Sequence, residues 1–279
     1  MRYLVGLILY VLGHYPVGVS AQTTISASPQ KGNTTCATAS TPDDLQVLLE
    51  KIQGLKEGQQ AIQQQLRDIH KILSAQGQPN KNVQEVDFIV NVANDPFQGS
   101  QTATATLIEF TDYQCPYCAL HSQDVLPKLT KHFIDTGKIR YVLRDFPLIS
   151  IHKDAKKAHE AAHCAGEQGK YWEMHHQLFT HQKELKASQL AGYARAANIA
   201  DSLAFQACLD SGIYEDQTKE SMTEGIKSGV LGTPSFILGH TQANGTVRAT
   251  SLIHGAQDYL VFQELINELL ASPKPRTIP

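Results

Sequence analysis

The chain has 279 residues, 42% of them apolar, and a net charge of −3 with its 12 histidines left neutral. That is long for one domain and short for two large ones, and the apolar content excludes global disorder. No block of basic residues stands out, so charge gives no reason to expect a nucleic-acid partner.

Residues 1–21 read as an export signal. Arg2 supplies a positive charge, Leu4 to Leu12 form a short apolar run, and Val19-Ser20-Ala21 offers small residues for a signal peptidase. The run is too short to span a bilayer as a helix, although an uncleaved anchor is the alternative. The mature chain is therefore expected to be extracytoplasmic, periplasmic or otherwise exported, where disulfides persist. Its five cysteines are Cys36, Cys115, Cys118, Cys164 and Cys208. Five is odd, so one lacks an intramolecular partner when the others pair.

Residues 22–40 are rich in Ser, Thr, Gln and Gly and read as a flexible linker. Thr41 then offers a helix cap, Pro42 suits the first helical position, and Asp43 and Asp44 favour the positive end. Leu45, Leu48, Ile52, Leu55, Ile62, Leu66, Ile69 and Leu73 follow at spacings of three and four, with Gln59 at the one polar seam position. Four such heptads predict a coiled-coil-like oligomerisation helix over 41–77, with an amphipathic helix lying on its own domain as the alternative. Gly54 and Gly58 weaken the helix.

After a break at Gly77 to Asn82, strand and helix signals alternate. Val86–Val92, Ala105–Phe110 and Ile139–Leu143 read as strands, with a helix at Ser122–Phe133 between the last two. A helical block runs from about 153 to 229. Ser235–Leu238 and Thr246–Leu252 then suggest a strand pair turning near Asn244-Gly245, and Gln257–Leu270 closes as a helix. The order is βαβ, a helical block, then ββα, which makes an α/β fold of a helix-covered sheet with a helical insertion.

The strand at Leu107 to Phe110 leads through Asp112 and Tyr113 into Cys115-Pro116-Tyr117-Cys118, and helix follows directly. Cys115 thus faces the unpaired N–H groups of a helix N-terminus, which favour thiolate over thiol. Cys118, one turn on, is placed to resolve a mixed disulfide formed at Cys115. Pro116 stiffens the first turn without wasting a donor. A zinc half-site lacks a second ligand pair at suitable spacing, and a structural disulfide closing two residues would add little constraint.

These residues, with three further segments, resemble the DsbA-like branch of the thioredoxin superfamily over about residues 86 to 271. The segments are Asp95-Pro96-Phe97-Gln98-Gly99, Gly169-Lys170-Tyr171-Trp172-Glu173-Met174-His175 and Gly232-Thr233-Pro234-Ser235-Phe236. The resemblance implies a thioredoxin fold with a helical insertion, a domain of about 84–273, and no cofactor. It implies a cis Thr233–Pro234 bond beside the sulfurs, with Pro116, Tyr117, Thr233 and Pro234 contacting substrate. It also assigns Glu109 as a buried acid of raised pKa that carries a proton for Cys118; a strand carboxylate facing water is the bland alternative.

Cys164 and Cys208 fall in two helices of the insertion and are expected to form a structural disulfide, the alternative being two buried free thiols. Cys36 either bridges two chains or stays free. His159-Glu160-Ala161-Ala162-His163 matches the zinc-protease spacing H-E-x-x-H, which offers a metallohydrolase as the rival from another class, but no third ligand is evident and no metal is expected. The expected function is an exported thiol–disulfide oxidoreductase that oxidises substrate proteins carrying cysteine pairs. A membrane or soluble redox partner would recycle it, and residues 45–73 would join it into a homo-oligomer. An oligomeric isomerase or reductase is the second reading, and a non-catalytic interaction protein the third.

Overall fold

Six strands make one mixed sheet in the computed structural model, which describes residues 42–75 and 81–272. They are β1 (Val83–Asn91), β2 (Phe97–Gly99), β3 (Ala105–Thr111), β4 (Ile139–Asp145), β5 (Ser235–Thr241) and β6 (Thr246–His254), in the order β1-β6-β5-β3-β4-β2. Only β3 and β4 run parallel; every other pairing is antiparallel. All seven residues of β3 and all seven of β4 are buried, as central strands covered on both faces must be.

A parallel pair needs a crossover, and here it is a helical run. It comprises α2 (Pro116–Leu120), a π-type stretch His121–Val125, α3 (Leu126–Leu129) and a second π-type stretch Thr130–Ile134. Pro127 has no N–H to give, and just before it the Leu126 N–H reaches back five residues to the His121 carbonyl. The run starts at Pro116, six residues before the predicted helix, because Cys115 is its N-cap.

The predicted helical block is five helices: α4 (Ala155–Gly166), α5 (Tyr171–Thr180), α6 (Ala187–Ala196), α7 (Ser202–Ser211) and α8 (Glu215–Lys227). A last helix, α9 (Tyr259–Ala271), follows β6. Alternate side chains of the central strands serve two cores. Leu107, Tyr141 and Leu143 pack with α4 to α7 and α9, whereas Ile108, Phe110 and Val142 pack with Phe146 and Val230 on the other face. On that second face α8 comes close at Gly225, where an added Cβ would stand 2.9 Å from the Phe110 ring. β2 was not anticipated: three residues that follow a proline and end in a glycine carry no strand pattern, and its place comes from pairing with Arg140 to Val142.

Helix α1 (Pro42–Ala75) forms 34 residues over the heptad stretch, and Leu48, Ile52, Leu55 and Ile62 are exposed on it. The expected signal at 1–21, the linker at 22–40 and Cys36 lie outside the described residues. Among the described residues no helix is long and apolar enough to cross a membrane.

Candidate active site

The end of β3 and the start of α2 place the two sulfurs of the Cys115-Pro116-Tyr117-Cys118 turn. Cys115 has extended backbone angles as N-cap, Pro116 takes the first turn, and the Cys118 and Ala119 N–H groups both donate to the Cys115 carbonyl, at 3.1 and 3.2 Å. Both thiols are free; Cys118 is fully buried, and Cys115 is 4% exposed. The Thr233–Pro234 bond is cis, and it brings the Thr233 carbonyl to 3.2 Å from Cys115 Sγ. Tyr117 projects outward, 63% exposed.

The two sulfurs are electrostatically unlike. The Cys115 thiol is lowered to about 6, first by the hydrogen bond that Cys118 gives its thiolate. Burial opposes that shift, while the Thr233 hydroxyl and the backbone N–H groups of Cys118 and Tyr117 support it. The helix N-terminus therefore contributes, but less than the neighbouring thiol. Burial pushes Cys118 well above the ordinary thiol range, and Cys115 and Glu109 push it further.

Glu109 lies beneath the pair on β3, 1% exposed. Burial raises its carboxyl to about 7 against the opposing hydrogen bond from Tyr141. The Tyr141 hydroxyl donates to Glu109 Oε2, and Oε1 has no protein partner. His121 Nε2 stands 3.4 Å from the same hydroxyl and 3.9 Å from Oε2.

Two further residues fix the loop before Cys115. Asp112, fully buried, accepts from Gln114 N, Leu148 N and His152 Nδ1 at 2.7 to 2.8 Å. The Gln182 amide, between α5 and α6, donates to the Tyr113 carbonyl at 3.0 Å and to the Cys115 carbonyl at 2.7 Å. Sequence offered no mark for Gln182, Tyr141 or His121, because each reaches the site through the fold.

The H-E-x-x-H residues are placed elsewhere. His159 Nδ1 and His163 Nε2 both bind the Asp145 carboxylate, at 2.7 and 2.8 Å, and Glu160 pairs with Lys157 at 2.6 Å. Burial would raise Asp145, but His163 and His159 hold it well below the usual carboxylate range. The motif thus docks α4 on the end of β4, and no described group of three such side chains is arranged to hold a metal ion. Cys164 of α4 and Cys208 of α7 form a disulfide, with Cα atoms 5.8 Å apart.

A thioredoxin family model matches residues 91–267. The chain belongs to the thioredoxin family. Among solved structures, this thioredoxin-family chain is similar to BdbD from Bacillus subtilis, with a TM-score of 0.59 and 21% identity, covering 68% of this chain and 100% of that one. It is also similar to alpha-DsbA1 from Wolbachia pipientis, with a TM-score of 0.54 and 25% identity, covering 64% and 92%. With the family match, the likeness to alpha-DsbA1 makes it a DsbA-like member of the thioredoxin superfamily. A curated relative, Na(+)/H(+) antiporter NhaA 1 of Salinispora arenicola, is 35% identical over 169 residues, which are 60% of this chain and 25% of that protein. The chain spans about a quarter of the length of the curated relatives it matches, and the likeness covers only the thioredoxin-like part.

Proposed function

We propose that this chain is an exported protein thiol–disulfide oxidoreductase that oxidises substrate dithiols through the Cys115–Cys118 pair. The observation that carries the reading is the unlike pair of sulfurs, a low-pKa Cys115 beside a high-pKa Cys118 over buried Glu109. A substrate thiolate attacks Cys115 Sγ of the oxidised pair, breaking the disulfide and expelling the Cys118 thiolate. Protonated Glu109 gives its proton to Cys118, which drives that sulfur to the thiol. A second substrate thiolate then attacks the substrate sulfur and expels Cys115, which remains a thiolate at neutral pH. The substrate loses two electrons and the cysteine pair gains them; a membrane or soluble redox partner takes them away.

Exposed Tyr117, Leu120 and Leu231 around the sulfurs support substrates with apolar, unfolded segments, with Thr233 and Pro234 as the backbone contact. Equilibration with glutathione tests direction: a strongly oxidising potential supports the oxidase, and a strongly reducing one rejects it. A second reading, an oligomeric isomerase or reductase, is favoured by one feature, the exposed apolar seam of α1. A second copy of this helix would cover that seam and present several redox centres together. Light scattering on the protein and on a Leu48→Glu/Leu55→Glu variant tests it; a wild-type monomer rejects self-association.

A further inference from the structure

His121 is a buried titratable side chain that the reaction above leaves unused. It lies one helical turn beyond Cys118, fully buried, with its ring 4.5 Å from Phe236 and 5.4 Å from Phe262. Its Nε2 faces the Tyr141 hydroxyl, which in turn donates to Glu109 Oε2; its Nδ1 is buried and has no protein partner, so a proton reaches it only when water enters from the cleft beside the ring. His121 is also the most deeply buried residue lining a surface cleft of about 660 Å³ between the start of the crossover helix and α9. Asp124 and Asp258 are exposed on that cleft.

From this alignment we infer that His121 and Tyr141 form a proton path that connects Glu109, beneath the sulfurs, to solvent in the cleft between α2 and α9. The inference rests on the redox reading of Cys115 and Cys118, and it holds for either direction of electron flow. With Glu109 ionised, Tyr141 donates to the carboxylate and His121 Nε2–H donates to Tyr141. A proton entering at Nδ1 moves Nε2–H onto the tyrosine oxygen and the tyrosine proton onto Glu109. The carboxyl is then loaded, and the ring has exchanged tautomers without holding a net charge. That neutrality suits the site, because burial first, and His175 second, depress the imidazole to about 3.

The path resets itself. Opening the disulfide makes Cys118 take a proton, and closing it makes Cys118 release one. Protons therefore run inward in one half-reaction and outward in the other, which returns the ring to its first tautomer each cycle. Glu109 faces Tyr141 of β4, His121 and both cysteines, and Phe236 of β5 and Phe262 of α9 flank the His121 ring.

The test follows the mixed disulfide between Cys115 and a peptide in single turnovers, quenched with acid, across pH. In His121→Phe, resolution by Cys118 is expected to slow about 10- to 100-fold, the scale of a lost proton-transfer group, with a changed pH profile. The thiolate absorbance of Cys115 should titrate as in wild type, which separates this effect from damage to the turn. His121→Gln, which keeps a polar side chain but cannot relay, should match it. Unchanged rate and pH profile in both variants overturn the path. If neither variant folds, a proton inventory on the unsubstituted protein decides: a bowed dependence on deuterium content supports a multi-proton path, and a linear one overturns it. Failure of the wild-type protein to form the mixed disulfide would reject the redox function itself.

Discussion

The chain carries two pairs of described cysteines that differ in almost every respect. Cys115 and Cys118 are two residues apart at a helix start, free, and held at opposite ends of the thiol pKa range. Cys164 and Cys208 are 44 residues apart in two helices and bonded. Closing so short a ring restrains little chain, whereas closing the long one restrains a whole helical subdomain. Reactivity needs a stabilised thiolate with a proton carrier beside it, which Cys115 and Glu109 supply at the first pair, whereas the second pair is already bonded. Chemistry is therefore set by the neighbours of the sulfur, and stability by the length of chain between the sulfurs.

Several substitutions put that contrast at risk. The largest expected effect is from Cys115→Ala, which should abolish dithiol exchange while leaving the thermal unfolding midpoint close to that of the reduced wild type; an unchanged exchange rate sinks the mechanism. Replacing Cys164 and Cys208 by alanine should do the reverse. Loop entropy predicts a loss of about 4 kcal/mol in urea unfolding, with exchange retained at low temperature. A loss of exchange without a loss of stability would erase the distinction between the pairs.

Glu109→Gln sharpens the reactive side. The folded carboxyl of the reduced protein titrates at about 7 instead of the ordinary 4.5. Between those values the folded state holds more protons than the unfolded one, so its stability falls as pH rises from 4.5 to 7 and is flat above. The Gln variant lacks this slope, and above pH 7 it should be more stable than wild type by about 3 kcal/mol. Equal pH dependence of the two proteins would place Glu109 in water. The smallest effect is expected from Gln182→Ala, which removes two hydrogen bonds to loop carbonyls and should cost about 1 to 2 kcal/mol. It should also slow formation of the mixed disulfide a few-fold, whereas no change in that rate would make the amide a packing contact only.

What the sequence made legible follows the range of the interactions. The Cys115 turn was readable because cap, proline and second cysteine all act within one turn. The central strands were readable because both faces are covered, which leaves an apolar run. The same cover made Glu109 ambiguous: in a strand buried on both faces, alternation does not say what lies beneath a carboxylate. Its burial came from the family resemblance, not from pattern. The H-E-x-x-H spacing was legible and misleading, since the two histidines do share a face but meet the Asp145 carboxylate there. β2 was missed because its three residues are ordered by β4, and Gln182 because 67 residues separate it from Cys115.

The Gln182 amide has a further consequence for inheritance. A helical insertion hung on a sheet could in principle be exchanged between relatives as a cassette. Here one side chain of the insertion holds the carbonyl of Cys115 itself. A graft that brings in a foreign insertion without a donor at that point gives up both hydrogen bonds to the loop and, with them, part of the restraint on the redox turn.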